Sequence, residues 1–477
     1  MSRIRATPGH ILFNVVKDAL RNVTIPFQDD PKAILVWYDT IKDQDYWSTL
    51  KPFQIVNRLP NMNLLCRKAP FIRLLHRISP YFPNLYSFLP RSWILPFQNT
   101  DFIQAIGRHD RQYIVKPDNG SLGAGISIIT KNESYSPKSY LAVAQEYIES
   151  LLIDSTKFDC RIYVLVASID PLVIYVYRGG IARFCSQKVG DDSVYSQLTN
   201  TAVNRKNPGV SISSITRMVN DVFSDLQRNG INTDLIWKKI DAVAVLTVIS
   251  AYSYLKEGQF KRCPNRPYSR CFQILGFDIL IDRNLNPVIL EVNYRPSLET
   301  DTNDEYNLKL SMLSDALRIM SPPSEIQQFI DENNQPISDF NYSAYNLQSI
   351  SMTGNFVRVY PTNEPVQSGY DAVLNVARKF PSNTIGNITS LMPTILEKPV
   401  KPESLISISE LLLSPNVYKQ QILPPLDPQK SSCSSLDNHN SQQNQTKING
   451  NSKQTNTSNT NSIISKQSHV LQKYFRK

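Results

Sequence analysis

The sequence predicts a mixed α+β (α/β) chain whose β-rich lobes enclose a polar cleft, and three observations carry that prediction. Apolar, β-rich segments separated by turn residues recur between residues 113 and 177. Two helical patterns follow, over 211–229 and 234–257. Two further apolar strands then carry the most informative residues of the chain, in Phe-Gln-Ile-Leu-Gly-Phe-Asp-Ile-Leu-Ile-Asp (272–282) and Val-Ile-Leu-Glu-Val-Asn-Tyr-Arg-Pro-Ser-Leu (288–298). Strands, then helices, then strands again place one core domain at about 100–320.

Along the chain, 33–38 (Ala-Ile-Leu-Val-Trp-Tyr) reads as a strand, and 113–130 reads strand, Gly-rich loop, strand. Further strands are expected at 143–148, 158–167 and 172–177. The helix over 211–229 should end at Gly230. The longer one should begin with Asp234 as its N-cap and close at Gly258. Asp282, Asn284 and Leu285 form the turn between the two late strands, and a helix from about 305 to 320 stops at Pro322 and Pro323. The expected division is an N-terminal segment (1–32), a basic domain (33–110), the core (111–323), a partly helical extension (324–423) and a tail (424–477). The tail is Ser/Asn/Gln-rich and too poor in large apolar residues to offset chain entropy, so it reads as disordered.

Composition narrows the function. With 477 residues, 41% of them hydrophobic and 10% aromatic, the chain can bury a large core. No apolar run approaches the roughly 20 residues that span a bilayer, and no signal-peptide pattern opens the sequence, so no membrane partner is expected. Cys66, Cys160, Cys185, Cys263, Cys271 and Cys433 show no CxxC pair or metal-ligand spacing, and read as reduced cytosolic thiols. The net charge of +10 is uneven. Residues 51–100 hold Lys51, Arg58, Arg67, Lys68, Arg73, Arg77 and Arg91 and no acidic residue, which reads as a surface for a polyanion. Nucleic acid is not expected, since no zinc finger, RNP-like motif or long basic run is present.

The chemistry lies in the strands. Glu291 and Asn293 are two apart and share one strand face, and Asp278 comes from the neighbouring strand. Two carboxylates and an amide are hard oxygen ligands suited to Mg²⁺. The loop Lys116-Pro-Asp-Asn-Gly-Ser-Leu-Gly-Ala-Gly offers Gly120, Gly123 and Gly125, whose backbone N–H groups can approach phosphate oxygens, with Lys116 beside them. It is no Walker A loop, because a strand follows it. Gln145-Glu-Tyr147-Ile148 closes a strand where an adenine edge could dock. In Lys157-Phe-Asp-Cys-Arg-Ile-Tyr, Lys157, Asp159 and Arg161 alternate with apolar residues, giving a strand with one charged face. Arg183 and Asn204 add a cation and an amide. Together these describe a nucleotide held with Mg²⁺ between two β-rich lobes.

In order, Lys116-Pro-Asp-Asn-Gly-Ser-Leu-Gly-Ala-Gly-Ile, Gln145-Glu-Tyr-Ile, Lys157-Phe-Asp-Cys-Arg-Ile-Tyr, Leu198-Thr-Asn, Gly276-Phe-Asp and Leu290-Glu-Val-Asn-Tyr-Arg-Pro-Ser resemble the motifs of the tubulin tyrosine ligase-like family. Upstream, Trp37, Gln54-Ile-Val-Asn-Arg-Leu-Pro, Arg67-Lys68 and Phe88-Leu-Pro-Arg-Ser-Trp-Ile-Leu-Pro extend the similarity to about 33–320. The resemblance implies an ATP-grasp fold with N-terminal, central and C-terminal lobes clasping ATP. It implies ligation of an amino acid, glutamate before glycine or tyrosine, to glutamate carboxylates of tubulin tails. In that reaction the acceptor carboxylate takes the γ-phosphoryl group from ATP to form an acyl phosphate and ADP, and the incoming amine then displaces phosphate.

By the same resemblance, Lys116 and the glycine loop would contact ATP phosphates, and Gln145, Tyr147 and Ile148 would hold adenine with Lys157 beside it. Asp159 would sit near ribose or substrate, and Arg161 would stabilise the transferring phosphoryl group. Arg183 and Asn204 would complete the phosphate and acceptor site. Asp278, Glu291 and Asn293 would ligate Mg²⁺, and Lys309 would bind the amino acid's carboxylate. Ala124 departs from relatives that often carry a basic residue there. Residues 321–420 are net acidic, with nine acidic against six basic residues, unlike the cationic extension of autonomous glutamylases. Microtubule docking is therefore expected to need a targeting partner, and the expected location is the cytoplasm and cytoskeleton, including cilium, flagellum or basal body.

Overall fold

The structure is a computed structural model, and it describes residues 4–40, 46–51, 53–108, 111–120, 122–130, 135–190, 193–263, 271–332, 350–380 and 408. The tail 424–477 and its expected disorder lie outside these residues. Helices and three sheets mix as the α+β expectation requires. Among the described residues no helix is long and apolar enough to cross a membrane.

The first sheet is parallel and joins β1 (Ala6–His10), β2 (Leu35–Tyr38) and β3 (Ile55–Val56). The second runs β4-β7-β5-β6 through β4 (Ser92–Leu95), β5 (Tyr113–Pro117), β6 (Ser127–Ile129) and β7 (Ala142–Glu146). Its antiparallel pairing sends Tyr113, Val115 and Ala144 to one face, where Phe102, Ala105 and Ile106 of helix Asn99–Arg108 cover them. Period-two geometry leaves Ile114, Lys116 and Gln145 on the other face.

The third sheet has seven strands: β8 (Leu152–Ile153), β9 (Thr156–Ile169), β10 (Leu172–Phe184), β11 (Thr216–Met218), β12 (Gln273–Ile281), β13 (Pro287–Asn293) and β14 (Phe356–Tyr360). Phe158, Cys160, Ile162 and Val164 of β9 join the core formed with helix Thr233–Ser250. On the opposite face, Tyr163, Leu165 and Ala167 lie under helix Asn303–Met320. The three earlier residues of that same face are Lys157, Asp159 and Arg161. The cleft thus begins where the second helix ceases to cover the sheet.

Several expected boundaries moved. Residues 211–229 are not one helix: Thr216–Met218 pairs with the edge of β10, so a short helix precedes the strand and Val219–Arg228 follows it. The long helix is capped by Asn232, whose side chain accepts from the Leu235 N–H at 3.0 Å, and not by Asp234. Gly258 does not end it but lies inside the next helix, Tyr252–Arg262. A Cβ there would meet Asn61 Nδ2 at 2.3 Å, so close packing explains the glycine. The segment 350–380, from the span set apart as an extension, supplies β14 and a helix (Gln367–Lys379) packed on Thr233–Ser250.

The basic stretch does not form one exposed face. Arg77 is buried with its guanidinium 4.7 Å from the Phe380 ring, Arg67 is paired with Asp118, and Arg58 turns toward an inner cavity.

Candidate active site

A cavity of about 720 Å³ lies between the second and third sheets. Strand register assembles its charged floor. Asp278 of β12 stands opposite Arg161 of β9 on one side and opposite Glu291 of β13 on the other. Asp159 of β9 stands opposite Arg183 of β10. Residues directly opposite in neighbouring strands share a face, and so do residues two apart, so Lys157, Asp159, Arg161, Arg183, Asp278, Glu291 and Asn293 converge.

The contacts are specific. Arg161 donates Nε–H and an Nη–H to Asp278 at 2.6 and 3.1 Å, and Arg183 reaches the same carboxylate at 2.9 Å. Arg183 also forks onto Asp159 with two bonds of 2.7 Å, and the Thr199 hydroxyl donates to Asp159 at 2.6 Å. Both arginines are thereby fixed before any ligand arrives. Gly276, opposite Asn293, leaves room for this: a Cβ there would lie 3.0 Å from Arg161 Cδ and from Pro296 Cβ.

Burial works against Asp278, but the two guanidinium groups outweigh it and hold its carboxyl well below the usual range. Burial likewise opposes the charges of Arg161 and Arg183, yet the carboxylates keep both above the ordinary guanidinium value. Glu291 moves the other way, raised by burial and by the nearby Asp278 charge. Asn293 Nδ2 lies 3.4 Å from Asp278 and 3.3 Å from Glu291.

The facing wall is cationic. Lys116 donates to Gln145 Oε1 at 2.9 Å, and Gln145 donates to Ser92 Oγ at 3.0 Å. Lys157 lies 3.8 Å over the Tyr147 ring, whose hydroxyl donates to the Gln197 carbonyl at 2.9 Å. Burial pushes the ammonium groups of Lys116 and Lys157 down to about 8. Lys68 reaches in from its own helix and donates to the Gly120 carbonyl at 2.6 Å. Among the described residues none of these three ammonium groups has a carboxylate ion-pair partner. The loop above them is tied down by Asp118, which accepts from the Ala69 N–H at 2.8 Å and from Arg67 Nε–H at 3.0 Å. Gly123 adopts φ +80°, and a Cβ there would strike Val203 at 2.5 Å, so the loop closes onto residues 200–203 only with glycine.

The structure therefore gathers Lys116, Gly120, Gly123, Gln145, Tyr147, Ile148, Lys157, Asp159, Arg161, Arg183, Asp278, Glu291 and Asn293 around one cavity. Gly125, with φ +71°, turns the loop behind the lining. Asn204 sits behind the wall, fully buried; its Oδ1 accepts from the Ser186 N–H at 2.8 Å and its Nδ2 donates to the Leu198 carbonyl at 2.7 Å, so it latches the 198–201 loop. Lys309 is also away from the cavity, donating to the Glu299 carbonyl and to Glu305 at 3.1 Å. Lys68 and Thr199 were missed as site residues. Lys68 counted toward a basic stretch and, as Arg67-Lys68, toward the upstream resemblance without a role, and the Leu198-Thr-Asn run was the signal for Thr199.

The donor set fits a nucleotide with a divalent cation. Among the described residues no group of three or more His, Cys, Asp or Glu side chains is placed to hold a metal. Asp278, Glu291 and the amide of Asn293 instead offer a partial set, which suits Mg²⁺ because that ion keeps water and phosphate in its shell. Burial and the adjacent Asp278 charge raise Glu291, which a bound cation would relieve, while the ammonium groups opposite suit an anion.

The model of the tubulin-tyrosine ligase family matches residues 48–329. Human tubulin polyglutamylase TTLL13 is 36% identical over 308 residues, 61% of this chain and 38% of that protein. A probable beta-tubulin polyglutamylase of Tetrahymena thermophila is 32% identical over 346 residues, 69% of this chain and 28% of that protein. Mouse tubulin polyglutamylase TTLL6 is 34% identical over 305 residues, 61% of this chain and 37% of that protein. The chain thus spans well under half the length of these curated relatives. A family match over more than half of the chain, with its motif residues meeting in one cavity, leaves one assignment: the chain belongs to the tubulin-tyrosine ligase family.

Proposed function

We propose that this chain is an ATP-dependent ligase of the ATP-grasp type that joins an amino acid, glutamate first, to glutamate side-chain carboxylates of tubulin tails. The observation that carries the reading is the opposition of Lys68, Lys116 and Lys157, none with a carboxylate ion-pair partner among the described residues, to the Asp278, Glu291 and Asn293 corner. The names of the relatives support tubulin as acceptor and glutamate as donor. Lys116, Lys68 and the loop N–H groups would hold the triphosphate of ATP, with adenine against Tyr147 and Ile148 at the end of β7. Asp278, Glu291 and Asn293 would hold Mg²⁺, which when bound supplies charge neutralisation at the phosphates.

The chain's own part is positional and electrostatic. Arg161 and Arg183 are held by Asp278 and Asp159, so their remaining N–H groups sit preorganised where phosphoryl oxygens gain charge. Amide formation through an acyl phosphate needs no enzyme nucleophile. The thiol that lines the cavity agrees, since burial and the nearby Glu291 charge raise Cys66 well above the ordinary thiol value. Placement in the cytoplasm and on the cytoskeleton or cilium, with a targeting partner for docking, follows from this reading.

The test is incorporation of labelled glutamate, glycine or tyrosine into microtubules with Mg-ATP. Glutamate incorporation dependent on ATP is expected. A folded sample that transfers none of the three sinks the proposal, and transfer of glycine or tyrosine alone replaces glutamate as donor.

A further inference from the structure

Cys263 and Cys271 bring their sulfurs within 3.9 Å of each other, and no other two cysteines among the described residues have sulfurs in contact. The two are eight positions apart in the chain, and both are buried, Cys263 at 7% exposure and Cys271 at 1%. Each belongs to a different element. Cys263 follows the helix Tyr252–Arg262, where its N–H donates to the Gln259 carbonyl at 2.7 Å. Cys271 stands just before β12 and bridges in parallel to Val56 of β3. Both elements grip the same stretch, residues 56–61. Asn61 Nδ2 donates to the Tyr254 carbonyl of the helix at 3.3 Å and packs on Gly258. At the strand, the Phe272 N–H donates to the Val56 carbonyl at 3.0 Å and the Leu59 N–H to Gln273 Oε1 at 2.9 Å. That stretch runs into the helix Met62–Cys66 and so to Arg67 and Lys68 at the cavity. Two thiols in van der Waals contact are placed for a covalent bond: a disulfide draws the sulfurs to about 2 Å, a movement the two side chains can share.

We infer that Cys263 and Cys271 form a reversible disulfide that fastens the helix Tyr252–Arg262 to β12, with a peroxide as oxidant and a small thiol as reductant. The Cys263 thiolate, on the more exposed sulfur, attacks one peroxide oxygen; the O–O bond breaks and the first water leaves, giving a sulfenic acid. The Cys271 thiolate then attacks that sulfur; the S–O bond breaks, the S–S bond forms and the second water leaves. Two electrons pass from the two sulfurs to the peroxide, and the two thiol protons end in the waters. Two equivalents of a monothiol reverse the bond through a mixed disulfide. Neither cysteine lines the nucleotide cavity. The bond acts instead on the seat of residues 56–61, by joining the helix and the strand that hold them. Cross-linking removes conformations from the unfolded chain, so the oxidised protein is the more stable form. The inference is independent of the ligase reading.

The test is peptide mapping of the full chain after treatment of the native protein with hydrogen peroxide, blocking with N-ethylmaleimide and digestion with trypsin. Trypsin cuts after Arg262 and Arg270 and so places the two cysteines in separate peptides, 263–270 and 271–283. A joined pair of these peptides is expected, two hydrogen atoms lighter than their sum and separated by dithiothreitol. In Cys263→Ser, Cys271 should lose its thiol at least about tenfold more slowly, because its partner sulfur is gone and it is itself buried. In Cys271→Ser, Cys263 should accumulate as a sulfenic acid that dimedone traps. Oxidised wild type should melt a few degrees above the reduced form, a shift absent from Cys263→Ser. The wild-type map decides by itself should either variant fail to fold. Maleimide-blocked thiols at both positions, while Cys66 or Cys433 is oxidised, overturn the inference. So does a bond from either cysteine to Cys433 or to a second chain in place of the internal pair, and so does an oxidised wild type that melts no higher than the reduced form.

Discussion

Replacing Lys157 by methionine should make the free protein more stable and the nucleotide complex weaker. Lys157 is buried, its ammonium has no carboxylate partner among the described residues, and burial pushes it from 10.5 down to about 8. At about 1.4 kcal/mol for each tenfold change in proton affinity, that displacement costs the folded state on the order of 3 kcal/mol. The Tyr147 ring, 3.8 Å from Nζ, repays about 1–2 kcal/mol. Lys157→Met keeps the bulk and removes the charge, so a gain of about 1–2 kcal/mol is expected at neutral pH. The sign with pH is fixed. The cost is fully present below about 8, where folded and unfolded chains are both charged, and vanishes as pH rises through 10.5, where both are neutral. The variant's lead should therefore close in alkali. Losing a desolvated cation from the nucleotide site should cost about 2–5 kcal/mol of binding, at least about thirtyfold. At a nucleotide concentration of about 100 Kd the wild type gains about 2.7 kcal/mol and the variant under about 1 kcal/mol. Urea unfolding near pH 7 and pH 10.5, with and without Mg²⁺ and an ATP analogue, reads all of this. A variant less stable than wild type at neutral pH, or one that binds nucleotide equally well, refutes the reasoning.

Asp278→Asn should lose about 3–5 kcal/mol of stability, because Arg161 and Arg183 would both lose a buried counter-charge, and unfolding curves measure it. Glu291→Gln should cost little stability, since burial already favours the neutral acid, yet it should abolish Mg²⁺-dependent ligation in the incorporation assay. For the same reason ligation should fall in mildly acidic buffer at a higher pH than an ordinary glutamate would give, because Glu291 must lose its proton to bind a cation. Gly276→Ala should push Arg161 off Asp278 and lower kcat by about a hundredfold or more with a smaller effect on the melting temperature, a split visible in parallel kinetics and melting.

The charged face of the site was legible because Lys157, Asp159 and Arg161 alternate with apolar residues, and alternation survives whatever the strand pairs with. The partners were not. Arg161 meets Asp278 across 117 residues of chain, a register that a single sequence does not encode locally. The same limit explains the other misses. Thr216–Met218 has helical surroundings but lies at the edge of β10, and the ladder takes it. Asn232 and Asp234 are both good caps two residues apart, so pattern alone could not choose. Asn204 and Lys309 lie off the cavity lining, one latching a loop and the other donating to Glu299 and Glu305, and spacing alone does not tell such positions from lining ones. Counting charge over 51–100 hid the different fates of Arg58, Lys68 and Arg77, because net charge carries no direction.

The cost of such a site explains why its platform is so apolar. Two buried ammonium groups and a carboxylate pair all sit on or against sheets whose opposite faces are packed. Behind β9, Phe158, Cys160 and Ile162 alternate with Lys157, Asp159 and Arg161 and meet a helix with thirteen of its 18 residues buried. Each apolar residue thus anchors the charged neighbours on either side of it, and strand geometry leaves those neighbours no face but the cavity. Arg161 and Arg183 cannot relax toward solvent without breaking the ladder that holds the core. Affinity for an anion is stored in this arrangement before the ligand arrives, and the helix Thr233–Ser250, buried throughout from Ala242 onward, is what lets the fold carry it.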